Sequence, residues 1–119
     1  MPKTSGAHTV QAHFEGCEPA VARIYAKLLA AAKKLGPVRE EPKKTSIHLA
    51  RETAFAGVAT RKGALILTLK AEHDVPSARV FKRERVSAHR WHLEIRLTDA
   101  AQVDRELLGL LKQAYALAG

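Results

Sequence analysis

The hydrophobic period of this chain changes twice along its 119 residues, and the order of the changes constrains the fold more than any other feature. In EPAVARIYAKLLAAAKKL, Val21, Ile24, Tyr25, Leu28, Leu29, Ala32 and Leu35 return every three or four residues, which is the apolar stripe of a helix. Glu18-Pro19 marks its start, because proline at the first helical position forfeits no hydrogen bond, and Gly36-Pro37 ends it. Lys33 and Lys34 then fall in the last turn, where positive charge suits the helix dipole.

The middle of the chain alternates instead. Short runs at 45–50, 54–60 and 64–71 read as strands, with Arg61-Lys62-Gly63 as the hairpin connection between the last two. Residues 72–78, with Pro76, read as a loop, and 79–84 as a strand of poor alternation. RWHLEIRL is the clearest strand. Trp91, Leu93, Ile95 and Leu97 face one way, and Arg90, His92, Glu94 and Arg96 the other, so the sheet has one covered and one wet face.

From Asp99 the helical period returns through Val103, Leu107, Leu110, Leu111, Ala114 and Leu117, with Asp99 as N-cap and Gln102 completing a capping box. Strands grouped between two helices specify an α+β fold. The expected architecture is an antiparallel sheet of four to five strands flanked by an N-terminal and a C-terminal helix, both packed on one face. Residues 1–13 are expected to be flexible and 14–119 to form one domain.

Composition excludes several chemistries. A single cysteine, Cys17, forms no internal disulfide and no cysteine-based zinc site. It stands just before a helix start, where the dipole can lower a thiol pKa, but without a histidine partner in sequence it reads as a small structural residue. No apolar run reaches the roughly 20 residues of a membrane helix, and the polar start lacks a secretory apolar segment, so the expectation is a cytoplasmic chain with no membrane partner. Six histidines show no metal-ligand spacing; His89 and His92, three apart on a strand, point to opposite faces, and only if His89 lies on a turn before the strand could both converge. The paired carboxylates Glu40-Glu41 and Asp104/Glu106 read as surface charge. No phosphate-cradling glycine motif or nucleophile elbow occurs, and neither a cofactor, a metal nor a catalytic residue is expected.

Charge is the most informative property. The formal net charge is +8, and eighteen of the twenty Lys and Arg precede residue 99. Arg79, Lys82, Arg83, Arg85, Arg90 and Arg96 crowd one stretch against only Glu84 and Glu94. If Arg90, His92, Arg96 and Lys70 share the open sheet face, they make a positive concavity or plate that attracts phosphates. Aromatic residues are only 5% of the chain, and Trp91, Phe55 and Tyr25 are committed to the core, so no base-stacking platform is expected.

HFEGCEPAVARIYAKLLAAAKKLGPV, PKKTSIHLARETAFAGVATRKGALILTL and the stretch from Val75 to the end resemble a bacterial family classed as a domain of unknown function. The most specific pieces are Lys44-Thr45 with Ile47, Phe55-Ala56, Pro76 followed by Arg79, and Asp104, Leu107, Leu111 and Ala114-Tyr115; Leu110 stands where an aromatic is expected. The resemblance implies small α+β modules, found alone or C-terminal in proteins loosely labelled predicted transport proteins, and transfers no activity. It directs attention to Lys44, Thr45, Arg79 and His89, which could converge on an anionic group.

The leading reading is a non-enzymatic module that binds an anionic partner, nucleic acid or a phosphorylated small molecule, through the basic sheet face, with Lys44, Thr45, Arg79, Arg83, Arg85 and His89 as ligand-binding residues. The alternatives are a homodimeric interaction module without a ligand, and an enzyme whose small pocket is formed by Lys44, Thr45, Arg79 and His89.

Overall fold

The computed structural model describes residues 9–75 and 77–118. Three α-helices, α1 (Val10–Phe14), α2 (Pro19–Lys33) and α3 (Arg105–Leu117), accompany six strands. These are β1 (Arg39–Pro42), β2 (Ile47–Ala50), β3 (Ala54–Thr60), β4 (Leu65–Ala71), β5 (Val80–Ser87) and β6 (Arg90–Leu97). All pair antiparallel in the order β1-β2-β3-β4-β6-β5. The α+β class is as expected, but the sheet has six strands, not four to five.

The additional strand is β1, Arg-Glu-Glu-Pro, whose sequence carries no apolar alternation. It forms because β2 supplies hydrogen-bond partners, and it sits at the edge, where Pro42 can end the ladder without an orphaned donor. At the opposite edge, β5 runs on to Ser87, further than the 79–84 reading, and exposes every residue after Val80. Thr45 lies in the β1–β2 turn, since β2 begins at Ile47. Of the loop read at 72–78, Pro76 falls outside the described residues.

One face of the sheet carries the core. Leu65, Leu67 and Leu69 of β4 and Leu93, Ile95 and Leu97 of β6 are all essentially buried, against Ile24 and Leu28 of α2 and Leu107 and Leu111 of α3. α2 and α3 therefore pack on the same face, as the sequence implied. Phe55 and Ala56 are neighbours in β3 and both buried, which strict alternation forbids. The register between β2 and β3 shifts at Leu49/Ala50; this bulge turns both side chains to the core side, and Phe55 meets Tyr115 edge to face at 5.2 Å.

Two helix starts differ from the sequence reading. The capping box of Asp99 and Gln102 exists, but it closes a single 3-10 turn, Ala100–Gln102. α3 begins later and is capped by Asp104, whose carboxylate accepts the Leu107 amide at 3.2 Å. At the other end, residues 10–13, expected to be loose, form α1, with Thr9 as N-cap. The helix is fastened by Thr60, whose hydroxyl donates to the His13 carbonyl at 2.6 Å, and by His13 Nε2, 2.7 Å from the Lys43 carbonyl. Residues 1–8, the rest of that expected flexible segment, fall outside the described residues. No helix among the described residues is long and apolar enough to cross a membrane.

Candidate functional site

The sequence nominated six residues, and the fold separates them. Lys44 and Thr45 are exposed in the β1–β2 turn, at one edge of the sheet. Arg79 precedes β5, Arg83 and Arg85 lie on it, and His89 is exposed in the β5–β6 turn, all at the opposite edge. Five strand spacings of about 4.8 Å put roughly 24 Å between the edges. Lys44, Thr45, Arg79 and His89 are therefore not brought together into a pocket.

Arg79 and Arg83 are also engaged within the chain. Arg79 donates to Asp104 Oδ1 at 2.6 Å and to the Gln102 carbonyl at 2.8 Å. Arg83 Nε meets Asp74 Oδ1 at 2.6 Å. Arg83 and Arg85 stand opposite Leu93 and Trp91 in the ladder, which places them on the helix side of the sheet and off the open face. Cys17 is half-buried with its thiol directed at the His13 carbonyl, 3.6 Å away. Among the described residues no cluster of three His, Cys, Asp or Glu has the geometry to hold a metal ion.

The open face is different. Period-2 alternation in β6 puts Arg90, His92, Glu94 and Arg96 on it, and the register pairs Lys70 of β4 with His92 and Ile66 with Arg96. Some of its charge is compensated locally: Lys82 lies 3.9 Å from Glu94, and Arg39 lies 3.4 Å from Glu41. Lys70 and Arg90 are in no ion pair among the described residues. Burial, and after it the charge of the Arg90 guanidinium, pushes the Lys70 ammonium below its ordinary value. Nη1 of Arg90 is sealed from solvent and has no hydrogen-bond partner. That is a costly arrangement for a guanidinium, since a buried donor left unmatched loses its water without replacement.

Beside Lys70 the sheet surface sinks into a shallow depression of about 310 Å³. A row of facing residues crosses it, from His48 on β2 through Gly57 on β3 to Thr68 on β4, and Lys70 and His92 close its far side. Gly57 and Ala59 keep its floor almost bare of side chains. The sequence reading grouped Lys70 and His92 with the arginines of β6, but it missed the depression. His48 and Gly57 acquire meaning only once β2, β3 and β4 are in register; a glycine inside a strand run was the one available signal.

A one-sided antiparallel sheet with helices on its apolar face and a small hollow flanked by Lys70 on the other defines an α+β domain. A family model described as a domain of unknown function, DUF5655, matches residues 10–118, and the chain belongs to that family. No curated protein and no solved structure matches the chain.

Proposed function

We propose that the chain is a non-catalytic module that binds an anionic small molecule on the open face of its sheet, with Lys70 and His92 receiving the anionic group and Arg90 adding its positive field. The observation that carries this reading is Lys70, a cation in no ion pair among the described residues, standing with His92 on the wall of a hollow of ligand size. An anion bound there would offset the like-charge repulsion that Lys70 feels from Arg90. A nucleic-acid track is less favoured, because Arg79, Arg83 and Lys82 are matched by Asp104, Asp74 and Glu94 and the open face is interrupted by Glu84 and Glu94.

The test is calorimetric titration with inorganic pyrophosphate and, separately, with duplex DNA at low and moderate salt. Pyrophosphate should bind the wild type, bind about tenfold or more weakly to the Lys70→Gln/Arg90→Gln variant, and bind unchanged to Arg83→Gln/Arg85→Gln. Equal loss in both double variants, or strong salt-dependent DNA binding without pyrophosphate binding, would overturn the reading.

A second reading, self-association, is favoured by edge strand β5, where Phe81 and Val86 are 56% and 53% exposed. It stays second because Lys82, Arg83 and Arg85 and the register shifts at both ends of β5 are devices that discourage edge pairing. Light scattering decides it: a mass of two chains supports it, and one chain at high concentration refutes it.

A further inference from the structure

We infer that the open-face depression is a seat for an amphipathic anion, a flat apolar body lying on the bare backbone at Gly57 with its charged group turned to Lys70. The inference rests on the anion-binding reading above and adds to it the shape and polarity of the ligand.

Gly57 lies in the interior of β3. Glycine in the interior of a strand weakens it, because it loses more chain entropy on folding and packs no side chain against its neighbours. Such a residue is usually explained by a positive φ or by a neighbour too close to admit a Cβ. Neither applies here. Positive φ among the described glycines is confined to Gly16 and Gly36. A Cβ built on Gly57 would meet only His48 Cδ2 and Thr68 Cβ, each at 3.9 Å, which is ordinary contact. The fold therefore leaves the position open to larger residues, and the remaining reason for a glycine in mid-strand is that something approaches the backbone there.

What approaches is set by the surroundings. The floor around Gly57 and Ala59 offers apolar surface and exposed backbone, with paired strands leaving few free donors. Hydrogen-bonding groups stand at the rim instead: the His48 and His92 imidazoles, the Thr68 hydroxyl and the Lys70 ammonium. From β2 to β6 is three strand spacings, about 14 Å, which sets the ligand's greatest length. An inorganic anion would use Lys70 and leave the floor wet. A neutral hydrocarbon would use the floor and leave Lys70 unmatched. A body with an aromatic or short aliphatic part and one anionic group uses both.

The experiment compares three probes on the full chain: 1-anilinonaphthalene-8-sulfonate, its neutral analogue N-phenyl-1-naphthylamine, and inorganic phosphate. Wild type should bind the sulfonate with enhanced fluorescence and single-site stoichiometry, and more tightly than either of the other two. Gly57→Val should abolish the enhancement while melting at or above the wild-type temperature. Lys70→Gln should weaken the sulfonate about tenfold and leave the neutral probe unaffected. In amide NMR spectra of the wild type, the sulfonate should shift Gly57 and Thr68 most, a measurement that holds whether or not any variant folds.

The outcomes separate the two readings. A Gly57→Val variant that still binds the sulfonate, or wild-type shifts that spare Gly57 and Thr68, overturns the seat on the floor even if Lys70→Gln loses affinity. A Lys70→Gln variant that binds the sulfonate as tightly as wild type overturns the anion reading itself. A wild type that is dimeric where Gly57→Val is monomeric would assign the floor to a second copy and overturn the ligand inference.

Discussion

Arg79 and Asp104 hold the loop before β5 to the start of α3 through one shared oxygen. Oδ1 of Asp104 accepts the Arg79 guanidinium at 2.6 Å and the Leu107 amide at 3.2 Å, so one carboxylate caps the helix and anchors the loop. Arg79 adds a bond to the Gln102 carbonyl and an ion pair with Glu106 at 3.5 Å. The Arg79 hydrogen bond, and after it the Leu107 amide, holds the Asp104 carboxyl below its ordinary 3.8.

The sign of the pH dependence follows. A carboxyl whose folded pKa is depressed contributes stability above its unfolded pKa and loses it as pH falls through the folded value. Arg79→Gln should therefore melt a few degrees below wild type at pH 7, with the gap narrowing as pH drops below 3.8. Asp104→Ala should melt lower still at pH 7, because it removes the N-cap as well. Thermal melts at pH 7, 5 and 3 check this. A gap independent of pH would mean that Arg79 acts through packing of its aliphatic stem.

Gly36 and Tyr115 make a second long-range contact. Gly36 adopts φ +151°, and a Cβ built there would collide with the Tyr115 hydroxyl, which donates to the Pro37 carbonyl at 3.1 Å. Gly36→Ala should cost about 1–3 kcal/mol from strain and overlap together. Tyr115→Phe removes the colliding oxygen at a cost of about 1 kcal/mol for the lost hydrogen bond. The double variant should then be more stable than the sum of the two losses allows, and urea unfolding of the four proteins measures that coupling. Strict additivity would place the strain in the Gly36 backbone alone.

Phe55 is fully buried at the β3 bulge, and Phe55→Ala should destabilise the chain by about 3–5 kcal/mol, read by denaturant unfolding. A loss below 1 kcal/mol would show that the bulge can flatten and return Ala56 to strict alternation.

These positions show where sequence reading succeeds and where it stops. α2 and β6 are legible because burial follows a single period through each, so the stripe from Val21 to Ala32 and the alternation from Trp91 to Leu97 declare themselves. β1 is illegible because an edge strand of Arg, Glu, Glu and Pro forms on what β2 offers and not on its own pattern. The start of α3 is ambiguous in sequence because Asp99 and Asp104 are both good caps, and only the 3-10 turn between them shows that the first closes one turn and the second opens the helix. The candidate site has the same division. Lys70 and the β6 cations are readable from alternation, whereas the engagement of Arg79 and Arg83 depends on an aspartate 25 residues away for Arg79 and on a loop aspartate for Arg83. Local sequence counts charges; only the fold shows which of them are already paired.

Lys70 supplies the last prediction, because its environment couples binding to stability. Burial, and then Arg90, lowers its pKa from 10.5, so the folded chain holds this proton less tightly than the unfolded chain does. A cation with a depressed folded pKa costs stability below that pKa, and the cost is relieved as pH rises through it toward 10.5. Arg90→Gln removes the like charge, so it should raise the Lys70 pKa, followed through its side-chain carbon resonances, and leave the ligand-free protein at least as stable as wild type at pH 7. The same substitution should weaken anion binding, since it removes one of the two cations. A variant that is more stable and binds less is the signature of a site held in tension for its ligand, and no structural role for Arg90 gives both effects. Lower stability with an unchanged Lys70 pKa would instead show that Arg90 supports the sheet and that its closeness to Lys70 serves no ligand.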